Sequence, residues 1–63
     1  MAFKVQYRNV TTGRLVTVPG LKTRTAAWHV VLAAKDQGAD ASALELRVRE
    51  HQGSVWADVT HEF

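Results

Sequence analysis

From Phe3 to Arg8 the side chains alternate, with Phe3, Val5 and Tyr7 on one side and Lys4, Gln6 and Arg8 on the other. That is the period of a half-buried β-strand. Val10-Thr11-Thr12-Gly13 reads as a turn, because Gly13 can take a positive φ. Leu15 to Val18 is a second strand, rich in β-branched residues. Pro19-Gly20 is expected to end it, since proline has no N–H to give to a ladder. The two strands form a hairpin. A four-residue loop sets Tyr7 opposite Val16 and Val5 opposite Val18, apolar against apolar. A three-residue loop sets Thr17 opposite Tyr7 and turns Val16 outward. A slip of one residue moves every side chain to the other face, so the four-residue loop is the expected one.

The next stretch changes period. Ala26 to Gln37 is built of strong helix formers and stops at Gly38, a natural left-handed terminus. Thr23 or Thr25 can cap its start by accepting from a backbone N–H. At about 100° per residue, Ala27, Val30, Val31 and Ala34 share one face, and Thr25, His29 and Asp36 the opposite one. Trp28 and Leu32 fall on the flank between. A wide core face, with Trp28 lying over the sheet edge, accounts for them. The alternative is that Trp28 and Leu32 form a dimer or partner surface.

Ala39 to Ala43 is a short connection. Leu44 to Glu50 alternates again, with Leu44, Leu46 and Val48 against Glu45, Arg47 and Arg49. Gln52-Gly53 reads as a two-residue hairpin loop leading into Val55 to Val59. That register pairs Val48 with Ala57 and Leu46 with Val59 inside, and Arg47 with Asp58 and Arg49 with Trp56 outside. The outer pairs are favourable as ion pair and cation–π contact.

The order strand, strand, helix, strand, strand predicts an α+β domain, a single four-stranded sheet with one helix packed across one face. Placing the first and last strands side by side and parallel in the centre gives a layout that resembles the β-grasp architecture of ubiquitin-like domains and small bacterial immunoglobulin-binding domains. The resemblance rests on the order of elements over nearly the whole chain. The sequence ends in Phe63 without the Gly-Gly tail of a ubiquitin-like modifier, which argues against conjugation. The alternative is a meander whose sheet order follows the sequence, with the helix still on one face.

Composition narrows the function. The chain has 63 residues, 46% of them hydrophobic, which is one domain spanning residues 1–63 with a small core. It starts at Met1 without a linker and is expected to be a complete small protein. No apolar run approaches the ~20 residues that span a bilayer, and the N-terminal alternation is not that of a signal peptide. The absence of cysteine rules out disulfides, thiolate zinc sites and a cysteine nucleophile, and fits a cytoplasmic setting. Eight Lys and Arg against six Asp and Glu give a net charge of +2 and a pI near 9.5. The overall field is weak, so the placement of charge decides more than its sum.

Catalytic chemistry finds little support. Ser42 and Ser54 sit in turn contexts, and His51, across the turn from Ser54, lacks a third group to orient it. Pro19-Gly20-Leu21-Lys22 is too short for a phosphate cradle. His29, His51 and His61 fall too far apart to share a metal. Glu45 and Asp58 each lie beside Arg47 and read as charge balance. No catalytic residue, metal or cofactor is expected, and an enzyme is not. What remains is the sheet face away from the helix, which carries Lys4, Gln6, Arg8, Glu45, Arg47, Arg49, Trp56, Asp58 and Thr60. The candidate partner-binding residues are Lys4, Arg8, Arg47, Arg49 and Trp56. Trp and Arg are common anchors at protein interfaces, so a protein partner ranks first. Nucleic acid is the alternative, with Trp56 stacking a base and the cations following phosphates. The short strand from Arg14 to Val18 is an expected edge that could accept a partner's strand. The chain is expected to be a monomer or a homodimer, with no membrane partner.

Overall fold

The computed structural model describes residues 2–63. Its elements are β1 (Phe3–Arg8), β2 (Leu15–Leu21), α1 (Arg24–Lys35), α2 (Ala41–Leu44), β3 (Arg47–Gln52) and β4 (Val55–Asp58), followed by a 3₁₀ turn at Thr60–Glu62. The four strands form one sheet in the order β2-β1-β3-β4, every neighbouring pair antiparallel. Helix α1 covers one face, burying Ala27, Val31 and Ala34 against Phe3, Val5, Leu46 and Val48. This is the expected α+β class with a single four-stranded sheet.

The centre of the sheet is paired differently from the parallel β1–β4 arrangement. β3 lies beside β1 and runs antiparallel to it, with Val5 opposite Val48 and Lys4 opposite Arg49. Both arrangements use the same strand directions and differ only in which strand of the second hairpin sits inside. β3 takes the inner place because it is longer and carries the fully buried Val48, whereas β4 has four residues and leaves Val55 and Trp56 exposed. Gln37 ties α1 to the first hairpin. Its side-chain amide donates to the Arg8 carbonyl and its oxygen accepts from the Val10 N–H, which holds the end of α1 over β1 and returns the chain beside it.

The first hairpin has the expected register, Tyr7 opposite Val16 and Val5 opposite Val18. The Asn9 side chain accepts from the N–H groups of Thr11 and Thr12 inside the loop. Pro19-Gly20 does not end β2. The strand continues to Leu21, which pairs with Phe3 after a bulge. An edge strand needs fewer N–H donors, so Pro19 is tolerated there, and Gly20 takes the positive φ of +72° that the extra residue requires.

Thr23, rather than Thr25, caps α1, its hydroxyl oxygen accepting from the Ala26 N–H at 3.0 Å. The region expected as connection and strand start holds α2 instead. Asp40 caps it, its carboxylate accepting from the Ala43 N–H and the Ser42 hydroxyl, each at 3.0 Å. Glu45 then adopts φ +50°, a helix-terminating conformation that releases the chain into β3. Leu44 is buried from α2 and Leu46 from the residue before β3.

The second hairpin corrects the expected pairing. Its loop is Gly53-Ser54, and the pairs are Gln52–Val55, His51–Trp56, Glu50–Ala57 and Arg49–Asp58. Gly53 has φ +61° and Ser54 no positive φ, the pattern of a type II′ turn, which matches strand twist and wants glycine first. The loop moves by one residue and each pair by two, so inward residues stay inward but change partners. Val48 now meets Val59, whose N–H donates to the Val48 carbonyl at 2.8 Å. Glu50 is buried on the helix side and accepts from the Gln52 amide at 2.9 Å.

Candidate functional site

Alternation along β1 and β3 and their antiparallel register lay the polar side chains out in rows on the open face. Gln6 stands between Thr17 and Arg47, and Lys4 is followed across the sheet by Arg49 and Asp58. His51 and Trp56 form the row at the hairpin end. Lys4, Arg8, Arg47, Arg49 and Trp56 therefore share one surface. Trp56 was expected on a central strand opposite Arg49. It stands on edge strand β4 opposite His51, because of the Gly53-Ser54 loop and the outer position of β4.

The cations divide into two groups. Arg8 forms an ion pair through Nε with Glu45 and donates from Nη1 to the Gly13 carbonyl at 2.6 Å. Arg47 Nε lies 3.8 Å from Asp58 Oδ2, and its Nη1 donates to the Leu46 carbonyl. Among the described residues, neither Lys4 nor Arg49 has a carboxylate within ion-pair distance. Lys4 instead places its ammonium 4.3 Å from the centre of the Trp56 ring. The His51 ring packs against the same indole at 5.0 Å, tilted by 42°. The Trp56 side chain is thus held in position, while 42% of the residue remains exposed.

Both carboxylates of the face are tuned toward the anion. A hydrogen bond from the Arg8 guanidinium, then its charge, holds Glu45 below the ordinary value of 4.5. The Thr60 hydroxyl and backbone N–H, donating to Oδ1 at 2.6 and 2.9 Å, hold Asp58 below 3.8, with a smaller contribution from Arg47 and Arg49. Thr60 Oγ1 also accepts from the Val48 N–H, so Thr60 leaves the open face and ties the end of β4 to β3. Carboxylates held as anions are poor proton donors. Among the described residues no cluster of His, Asp and Glu could hold a metal, and no helix is long and apolar enough to cross a membrane. A shallow groove of about 350–380 Å³ lies on each side of the molecule. The one on this face runs between Leu15, Gln6, Arg47 and Arg49.

Trp28 and Leu32 are partly exposed on the outer side of α1. The Trp28 ring packs on Phe63 at 5.7 Å, and Phe63 in turn meets Phe3 edge-on at 6.3 Å. The sequence reading missed Phe63 as a packing residue and His51 as a neighbour of Trp56. For His51 the signal was present, since Gly-Ser is itself a II′ turn pair. For Phe63 none was, because the 3₁₀ turn that folds it back has no apolar period. The chain matches no protein-family model, no curated protein and no solved structure.

Proposed function

We propose that this chain is a non-catalytic interaction module that docks onto a larger protein through the open face of its sheet. Trp56 is the anchor and Lys4 and Arg49 are the polar contacts around it. The observation that supports this reading is the division of the cations. Arg8 and Arg47 are occupied by Glu45 and Asp58, which leaves Lys4 and Arg49 to meet a partner. Phosphate-driven binding gains affinity with each phosphate neutralised, so a face with few free cations gains little from it. A face with so few uncommitted cations suits a protein surface that offers an apolar pocket for the indole and acidic groups at its rim. The absence of cysteine fits action in the cytoplasm.

The test combines affinity capture on immobilised wild-type and Trp56→Ala chains with amide-resolved NMR titration by each captured protein. A partner lost on Trp56→Ala, with shifts centred on Lys4, Arg49, His51 and Trp56, supports the reading. Shifts confined to the other face overturn it. So does an oligonucleotide titration that moves these same amides at low salt and loses the effect by about 0.3 M salt.

A further inference from the structure

Beyond Thr60 the chain is held differently from the rest of the fold. The Val59 N–H still donates to the Val48 carbonyl, and the Thr60 hydroxyl oxygen accepts from the Val48 N–H. The N–H groups of Glu62 and Phe63 bond only locally, to the carbonyls of Val59 and Thr60. Residues 61–63 therefore form a short strap that, among the described residues, no backbone hydrogen bond joins to the sheet or to α1. Side chains hold it instead. The Arg24 guanidinium pairs with the Glu62 carboxylate at 2.8 Å. It also lies 5.4 Å from the centre of the Phe63 ring and 5.6 Å from that of Phe3. The Phe63 ring rests between Trp28 and Phe3. Lys35 donates from Nζ to the Phe63 carbonyl at 3.1 Å. Three features of the strap are read together: a carboxylate, the aromatic ring that follows it, and the main-chain oxygen behind the ring. Both partners of the ion pair are exposed. Such a pair adds little stability, yet it discriminates against the opposite charge. A groove of about 350 Å³ stays open between Trp28, Phe63 and Arg24, so the recess has room beyond the ring it now holds.

We propose that Phe3, Arg24, Trp28 and Lys35 form a recognition site for a polypeptide segment in which a carboxylate is followed directly by an aromatic residue, and that residues 61–63 occupy this site in cis. The strap is an autoinhibitory contact. It lifts at Val59–Thr60, the last point tied to β3, and a partner's segment of the same chemistry takes its place. The occupant seated in the recess defines what the recess accepts: Arg24 takes the carboxylate, Phe3 and Trp28 the ring, and Lys35 the carbonyl. The site is separate from the docking face, because α1 covers the opposite side of the sheet.

Strap and partner segment compete for one recess. The short attachment gives the strap an effective concentration on the order of several millimolar. A free peptide of the same sequence therefore binds the unaltered chain poorly and binds a chain with an emptied recess better.

The test uses the peptide of residues 59–63, acetylated and amidated at its ends, titrated by amide-resolved NMR into the full chain carrying Glu62→Ala and Phe63→Ala. The Trp28 indole and the amides of Phe3, Arg24 and Lys35 shift and saturate, with dissociation on the order of 1 mM. Lysine in place of the peptide's glutamate weakens binding about tenfold, and Arg24→Glu in the chain reverses that preference. The unaltered chain binds the peptide about fivefold or more weakly than the double variant. Circular dichroism confirms that each variant is folded. Hydrogen exchange on the unaltered chain reads the strap without any substitution: corrected for intrinsic rates, the Phe63 amide exchanges about tenfold or more faster than that of Val59. No shift in the double variant at about 10 mM peptide overturns the proposal. Binding indifferent to the exchange of glutamate for lysine also overturns it, because the recess then reads no charge. Equal protection at Phe63 and Val59 overturns it as well, because residues 61–63 then open only with the whole fold.

Discussion

Leu44 and Leu32 allow one substitution to be made twice in different surroundings. Leu44 is 1% exposed, held by α2 in the core with Val5, Val31 and Val48, while Leu32 is 42% exposed on the outside of α1. Truncating a fully buried leucine to alanine costs about 2–5 kcal/mol, through lost transfer energy and the cavity left behind. A chain of 63 residues has a total stability of roughly 3–9 kcal/mol at ordinary values per residue. Leu44→Ala is thus expected to remove about half of it or more. At Leu32 somewhat over half of the side chain is in contact. Full burial is worth ~1.5–3 kcal/mol, and alanine regains a few tenths as a better helix former. The expected loss is about 1 kcal/mol or less. Urea unfolding at about 10 μM, followed by circular dichroism, gives both values from midpoints and a shared slope. Equal losses at the two positions, within about 0.5 kcal/mol, would refute the placement of α2 under the sheet and of Leu32 outside it.

Two further outcomes follow from local geometry. Gly53→Ala should cost about 1–2 kcal/mol although a Cβ there would meet nothing within 4 Å, because the positive φ alone disfavours an L-residue; D-alanine in a synthetic chain should cost nothing measurable, and equal losses for the two would sink the II′ assignment. Hydrogen bonds from Arg8 to Glu45 and from Thr60 to Asp58 lower both carboxylates in the folded state below 4.5 and 3.8. Their contribution is therefore present above the unfolded values and lost as pH falls through the folded ones. The melting temperature should hold from pH 7 to about 5 and fall below pH ~4, with a shallower fall in Asp58→Asn.

What the sequence made legible depended on whether alternation had one solution or several. In the first hairpin, of the four- and three-residue loops only the four-residue one keeps Val5, Tyr7, Val16 and Val18 together, so the register could be read. In the second, loops at 52–53 and 53–54 send the same residues inward, Val48 and Glu50 on one strand and Ala57 and Val59 on the other. Periodicity could not separate them; the φ demanded at Gly53 does. The choice of β3 over β4 as the inner strand was hidden for a related reason, since both arrangements run the strands in the same directions. Alternation did assign Lys4, Arg8, Arg47 and Arg49 to one face. It could not show that Arg8 belongs to Glu45, because that pair exists only when β1 and β3 are neighbours. Leu44 was read as inward, though on a strand. The Asp40 carboxylate, capping the turn that follows it, is the local signal for the helix found there.

The bulge at Pro19-Gly20 has a consequence for how copies of this chain can assemble at high concentration. Endless cross-β growth needs two regular edges on every subunit, one to offer and one to receive. β2 presents a proline without a donor and a kinked backbone at its far end, which disrupts the ladder a docking strand would need. The regular part of each edge is then only four residues long, Leu15–Val18 of β2 and Val55–Asp58 of β4, which offers few ladder bonds to a second copy. Edges this short oppose endless strand addition, so concentrated solutions should hold discrete species in place of fibrils.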